Sequence, residues 1–285
     1  MKTFLIAAAA VLGATAVHAA DISARPITKA PPLSPAYNWT GFYAGVNVGY
    51  GFGDQTASFV GGDPLIRALT AGTGFGTGTP VPPASYDLKG ITGGVQLGYN
   101  AQIAPQWVAG IEADFNGLDF NNTASSAFGF GIIAAGNTLV ATQKADWFGT
   151  LRGRIGWLPT DTLLVYGTGG LAYGQVKETL VFNQNGLSGG DGQGFGYQCN
   201  GTGANCMVGS SSRIGVGYTV GAGLEYAISR NFTLRAEYLY VNLGSTSARA
   251  FTVVPRAGGF APASFVADFG DFDFNVVRAG VNYRF

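Results

Sequence analysis

Histidine is nearly missing from this sequence: His18 is the only one among 285 residues. Charge is almost as scarce, since Asp, Glu, Lys and Arg make up 11% of the chain, against roughly 25% in an average soluble domain. Basic and acidic side chains balance at 16 each. The chain therefore offers a phosphate backbone no net positive field, and no nucleic-acid partner is expected. Beyond Val17 nothing approaches the 18 or so consecutive apolar residues of a membrane helix, and helical periodicity is nearly absent. Glycine is plentiful, with 46 residues, but it lacks the three-residue period of collagen. Aromatics reach 13%. These features together describe a β protein rich in glycine and aromatics.

Lys2, the apolar stretch over residues 4–17 and the small residues of Val17-His18-Ala19 have the order of a secretory signal peptide, expected over residues 1–19. Cleavage removes Lys2 and His18, so the mature chain has no histidine. Hydrolysis or proteolysis that relies on an imidazole base is thereby closed, and no enzyme activity or cofactor is expected. Residues 20–38 hold Pro26, Pro31, Pro32 and Pro35 without period and form an extended periplasmic leader. The domain proper is expected over residues 39–285.

From Gly41 onward the dominant signal is alternation, the two-residue period of strands with unlike faces. Eight such segments follow one another. In the first, Phe42, Ala44, Val46, Val48, Tyr50 and Phe52 oppose Gly45, Asn47, Gly49 and Gly51; in the sixth, Ile214, Val216, Tyr218, Val220, Ala222 and Leu224 oppose glycines, Thr219 and Glu225. Connections after segments two, four and six are three residues long, as in Ala104-Pro105-Gln106. Those after one, three, five and seven are expected to be long loops, near residues 53–87, 117–143, 177–212 and 244–270. A soluble β-sandwich accepts the alternation but not this long/short pattern, which belongs to outer-membrane up-and-down barrels with periplasmic turns and extracellular loops. Aromatics near the segment ends make two interfacial girdles, with Trp39, Trp107, Trp157, Phe232 and Phe285 toward the turns and Tyr50, Trp147, Tyr173, Tyr218 and Tyr240 toward the loops. The fold class expected is all-β, an eight-stranded antiparallel transmembrane barrel with long extracellular loops.

The apolar face must then point outward, which turns polar residues into the lumen. Glu112, Asp114, Glu225 and Glu237 are set against Arg152, Arg154, Arg235, Arg278 and Arg284, with Asp146 on the same face. A charge without a partner is expensive there, and arginine's fork can meet two carboxylates at once, so these nine are expected to form one network. An eight-stranded interior is about wide enough for side chains to fill. Inward glycines, among them Gly45, Gly49, Gly98 and Gly223, would give the arginines room. A plug is favoured over a selectivity filter. Glu112 and Asp114 beside arginines are structural ions, not an acid and base. Cys199 and Cys206 reach an oxidising compartment and are expected to form a disulfide, and two thiols without histidine fall short of a zinc site. Gly167-Thr168-Gly169-Gly170-Leu171-Ala172 matches a dinucleotide fingerprint, but no amphipathic helix follows it.

Two stretches carry a family likeness: Tyr37-Asn38-Trp39-Thr40-Gly41-Phe42-Tyr43-Ala44-Gly45-Val46 near the start and Val277-Arg278-Ala279-Gly280-Val281-Asn282-Tyr283-Arg284-Phe285 at the end. The chain resembles the alphaproteobacterial outer-membrane β-barrel proteins, the porin-family or opacity-like surface antigens with hemin-binding relatives. The resemblance implies location in the Gram-negative cell outer membrane, contact with its lipid and lipopolysaccharide, and a surface-antigen or envelope-structural role. It also implies an assembly signal at Tyr283 and Phe285 for the outer-membrane assembly machinery. A small-solute channel and a hemin or ligand receptor, with host or extracellular ligands held by the loops, are the alternatives. Without histidine, iron ligation would fall to a tyrosine such as Tyr197.

Overall fold

The computed structural model describes residues 37–64, 66–67, 80–130, 133–184, 205–252 and 263–285. The expected signal peptide and most of the leader lie outside these residues. Eight strands follow in order: β1 (Gly41–Gly61), β2 (Ala84–Ala104), β3 (Trp107–Phe130), β4 (Ile133–Thr160), β5 (Leu163–Gln184), β6 (Asn205–Ala227), β7 (Phe232–Thr252) and β8 (Ser264–Arg284). Each pairs antiparallel with the next, and β8 pairs with β1 from Tyr43↔Arg284 to Gly61↔Phe265, so the order closes on itself. The connections β2–β3, β4–β5 and β6–β7 are tight, at Pro105-Gln106, Asp161-Thr162 and Ile228-Ser229-Arg230-Asn231. Closure removes both sheet edges, so the backbone groups that an open sheet leaves unpaired at its first and last strands meet one another.

The strands run 21 to 28 residues, about twice the 9 to 11 that cross a bilayer's hydrocarbon. The loop bounds expected from the sequence are too wide, because residues 53–61, 84–87, 117–130, 133–143, 177–184, 205–212, 244–252 and 264–270 are strand, and the long connections that remain are residues 62–83, 185–204 and 253–263. The alternation does not stop at the loop-side girdle; it changes sign. On β1, Phe42, Val46, Val48, Tyr50 and Phe52 are exposed and Asn47 is buried, whereas further along Asp54, Thr56 and Ser58 are exposed and Ala57 and Phe59 are buried. The same reversal separates exposed Ile91 from exposed Lys89 and Asp87 on β2, and exposed Phe115 from exposed Asp119 and Asn121 on β3. Each strand therefore has a turn-side half with an apolar outer face and a loop-side half with an apolar inner face.

A bulge accounts for a second difference. The β4–β5 register shifts between Ala145 and Trp147, which keeps Phe148 buried inside while Asp146 lies exposed outside, ion-paired to Lys177 at 2.6 Å. Strict alternation counted across this point had placed Asp146 inward. Trp147 keeps its expected outward place, with its ring stacked on Phe115 at 5.2 Å and edge-on to Tyr173 at 6.2 Å.

Outward apolar side chains are thus concentrated in the turn-side half, with Val60, Val208 and Phe251 as exposed exceptions toward the loops. In lipid vesicles, Val220→Arg in that half is expected to lower unfolding free energy by about 2–4 kcal/mol. Thr56→Arg, on the polar outer face of the loop-side half, should change it by less than about 0.5 kcal/mol; equal losses in urea titrations of the two variants would contradict the change of sign.

Candidate functional site: the interior charge network

The inner face of the turn-side half gathers four carboxylates and four guanidinium groups, all nearly inaccessible to solvent. Antiparallel register brings some together directly, since Glu112↔Arg152 and Glu237↔Arg278 are cross-strand partners. Others join side chains on one strand, as Arg235 and Glu237 on β7, or reach across the lumen, as Arg235 on β7 to Glu112 on β3. Glu112 on β3 receives Arg152 Nη2 at 2.5 Å and Arg235 Nη1 at 2.6 Å, with Arg154 Nη1 3.5 Å away. Glu237 on β7 receives Arg235 Nη2 and Arg278 Nη2 at 2.6 Å each and Arg152 Nη1 at 3.2 Å. Asp114 takes Arg152 Nη2 and Arg278 Nη2, both at 2.8 Å, and Glu225 takes Arg154 Nη2 at 2.7 Å. The eight form one connected, formally neutral cluster. Forked guanidinium groups suit this arrangement, because one planar donor array can serve two acceptors in different directions.

Neutral side chains complete the coordination of the carboxylates. The Tyr43 hydroxyl donates to Glu112 at 2.6 Å and accepts from Arg154 Nη1 at 2.9 Å. The Tyr166 hydroxyl donates to Glu237 at 2.9 Å, and its ring lies 4.2 Å beneath the Arg154 guanidinium. Thr233 and Asn282 donate to Glu225 at 2.6 and 2.9 Å, and Asn116 donates to Asp114 at 2.8 Å. Tyr43 and Tyr166 were absent from the sequence-derived set. Tyr43 lies two residues before Gly45 on the face already assigned inward, so the same alternation could have found it. Several inward glycines serve these tyrosines more than the arginines: a Cβ at Gly98 would lie 2.3 Å from the Tyr43 hydroxyl and one at Gly223 2.5 Å from that of Tyr166, whereas Gly49 gives way to Arg278.

Two expected members lie elsewhere. Arg284 is buried at the turn-side mouth, donating to the Thr40 carbonyl at 3.0 Å with its guanidinium 4.8 Å from the Tyr37 ring, and takes no part in the ion pairs. Trp39 is not in the turn-side girdle. It is fully buried beneath the network, its indole N–H donating to the Asp161 carbonyl at 3.0 Å and its ring packed with Tyr37, Val108, Leu158, Leu164 and Tyr166. A four-residue approach with no period of its own cannot show that the chain crosses the mouth before entering β1.

On the loop side the network is covered by apolar rings. Phe274 meets Phe120 and Phe148 edge-on at 5.2 and 5.5 Å, and Leu239, Val241 and Leu243 belong to the same buried cluster. Above it lies a second polar group, in which Tyr86 donates to Gln143 at 2.6 Å and the Gln143 amide donates to Thr246 at 3.1 Å and to Glu178 at 3.4 Å. Glu178 is 2% exposed and has no ion-pair partner among the described residues. Burial pushes its carboxyl above the usual carboxylate range, against smaller opposing effects of Thr246, Gln143 and Arg213. Cys206 is buried, while Cys199, and with it the expected disulfide, lies outside the described residues, as does Tyr197. Among the described residues no group of three or more His, Cys, Asp or Glu is placed to hold a metal ion. Tyr283 and Phe285 are exposed on the outer face, ring centroids 5.2 Å apart.

Residues 7–285 match the family described as "Outer membrane protein beta-barrel domain". The chain is 34% identical over 287 residues, covering all of both chains, to the 31 kDa outer-membrane immunogenic protein of Brucella melitensis. It is 29% identical over 254 residues to the 22 kDa outer membrane protein of Rhizobium leguminosarum, covering 89% of this chain and 82% of that one. Among solved structures, it is similar to the outer membrane protein OprG of Pseudomonas aeruginosa at 14% identity and a TM-score of 0.38, covering 87% and 97% of the two chains.

Removing one partner from a buried ion cluster strands the others. Glu112→Gln, which leaves Arg152 and Arg235 short of an acceptor, is expected to lower stability by about 3–5 kcal/mol, whereas Asp146→Asn on the outer face should leave urea midpoints nearly unchanged. Glu178 predicts the opposite sign. Its folded carboxyl binds a proton more tightly than the unfolded one, so its contribution is fully present below the unfolded pKa of about 4.3 and is lost as pH rises through the raised folded value. Glu178→Gln should therefore gain stability relative to wild type between pH 4 and pH 8, and unfolding curves showing no such gain would contradict the unpaired burial.

Proposed function

The chain belongs to the outer-membrane β-barrel family, and on that premise we propose that it is an eight-stranded transmembrane barrel with a plugged lumen, acting as a non-enzymatic structural and antigenic surface protein of the outer membrane. In this reading the apolar outer face of the turn-side half meets lipid, the tight turns face the periplasm, and the loop-side half stands outside the cell as a polar-surfaced stem. The immunogenic relatives in Brucella support exposure of such a stem and its loops. The exposed rings of Tyr283 and Phe285 supply the surface that the assembly machinery would read.

The observation that carries the plug is the series of three closed layers along one axis: the Trp39 cluster at the turn-side mouth, the neutral ion network, and the Phe120–Phe148–Phe274 rings. Water-filled pores belong to barrels of about 16 strands, and eight strands leave room only for side chains. Mutual pairing satisfies groups that would otherwise hold water. A channel would need all three layers to part together. Hemin capture gains no support among the described residues, since Tyr197 lies outside them.

Planar-bilayer recording tests the plug. Wild type is expected to show no sustained conductance at neutral pH, and Trp39→Ala, Arg152→Ala and Phe274→Ala combined, one from each layer, should produce brief leaks and a lower melting temperature. Steady nanosiemens openings from the wild type would overturn the plug and establish the channel.

A further inference from the structure

The chain divides its two kinds of cation by place. All eight members of the interior cluster that bear charge are carboxylates or arginines, whereas the three lysines among the described residues, Lys89, Lys144 and Lys177, all lie exposed on the outer face. They also lie on one row across the sheet. Lys144↔Lys177 and Asn121↔Lys144 are register partners. Lys89 stands three residues beyond Thr92 on β2, as Asn121 stands three beyond Leu118, the partner of Thr92. At a strand spacing of about 4.8 Å, three ammonium groups fall within roughly 15 Å along β2–β5.

The row sits where the outer face changes from apolar to polar. Next to it, on the apolar side, lies the Phe115–Trp147–Tyr173 stack, carried by β3, β4 and β5. Aromatic rings of this kind mark the headgroup level of a bilayer. The neighbouring carboxylates are Asp87, paired to Lys89 at 2.5 Å, its register partner Asp54 on β1, Asp146, paired to Lys177 at 2.6 Å, and Asp119. Both pairs are about half exposed, and such pairs are weak and exchange partners readily. Lys144 has no ion pair among the described residues. The outer face of β7 and β8 at the loop side differs, carrying Asp268, Asp271 and Asp273 with Arg249 as its cation.

We infer that the Lys89–Lys144–Lys177 row above the Phe115–Trp147–Tyr173 rings is a binding site for a phosphorylated glycolipid headgroup of the outer leaflet. The ammonium groups act as hydrated point charges toward phosphate oxygens, and the ring faces lie against the sugar and the first part of the acyl chains. This rests on the membrane orientation proposed above and adds to it a fixed lipid on one side of the barrel.

The test uses the full mature chain refolded into phosphatidylcholine nanodiscs, with chelator present, titrated with diphosphorylated lipid A, monophosphorylated lipid A and inorganic phosphate. Heat-modifiable gel mobility reports folding separately, and failure of the wild type to enter nanodiscs would count against the membrane orientation instead. Saturable binding of diphosphorylated lipid A is expected, weaker binding of the monophosphorylated form, and no competition by millimolar phosphate. The triple variant Lys89→Gln/Lys144→Gln/Lys177→Gln should bind at least tenfold more weakly, and Arg249→Gln should bind as wild type. If the triple variant does not fold, Lys144→Gln alone should lose about threefold. Binding unchanged in the folded triple variant, or in Lys144→Gln when it stands in, would overturn the site. Loss of equal size in Arg249→Gln, full competition by inorganic phosphate, or binding that appears only with divalent cations would do the same.

Discussion

A charge inside a closed sheet can be stabilised only by another charge or dipole within reach, because neither water nor lipid can enter to do so. In this protein that constraint is met by four carboxylates and four arginines in mutual contact. Much else in the turn-side half follows from it. Phenolic groups of Tyr43 and Tyr166 take up lone pairs that the guanidinium groups leave over, and they need the missing Cβ atoms of Gly98 and Gly223 in order to fit. Trp39 below and the phenylalanine rings above bound the cluster with apolar surface, and low local polarity strengthens the interactions between paired groups.

The strand count, the tight turns and the inward phase of all nine charged residues are legible in the sequence, because a strand with unlike faces writes its orientation into every second residue. Which carboxylate meets which arginine was not legible. Glu112 on β3 meets Arg235 on β7 across the lumen, and nothing local to either strand encodes that distance. Arg284 was assigned correctly to the inner face, but a period of two does not report height along the axis. Asp146 was misplaced by a single bulge. The loop-side halves of the strands do not read as membrane strands in the sequence, because there the apolar residues, Phe59, Phe128, Phe182 and Phe265 among them, face inward.

Arginine and lysine are not interchangeable here. Arg152 bridges three carboxylates at once, a task that a single ammonium group on a flexible stem performs poorly in a site without water. The exposed row of lysines faces the reverse demand, since its charges remain hydrated and meet partners that come and go. Composition alone gives 16 basic residues and hides this division.

The change of polarity along each strand also sets a load on biogenesis. In the orientation proposed above, a barrel entering from the periplasm would pass its whole loop-side half through the bilayer before the apolar band came to rest in it. That half is about ten residues per strand beyond the 9 to 11 of the span, with Asp54, Asp87, Asp119, Lys144 and Lys177 on its outer face. In transit those side chains would face hydrocarbon, where a charge at the midplane costs about 2–4 kcal/mol for a lysine. In that orientation the polar groups of the stem would resist sinking back and hold the folded barrel at a fixed depth, and the same groups would slow unassisted insertion. Its length would then tie the protein to a route that shields the outer faces of the strands until they have crossed.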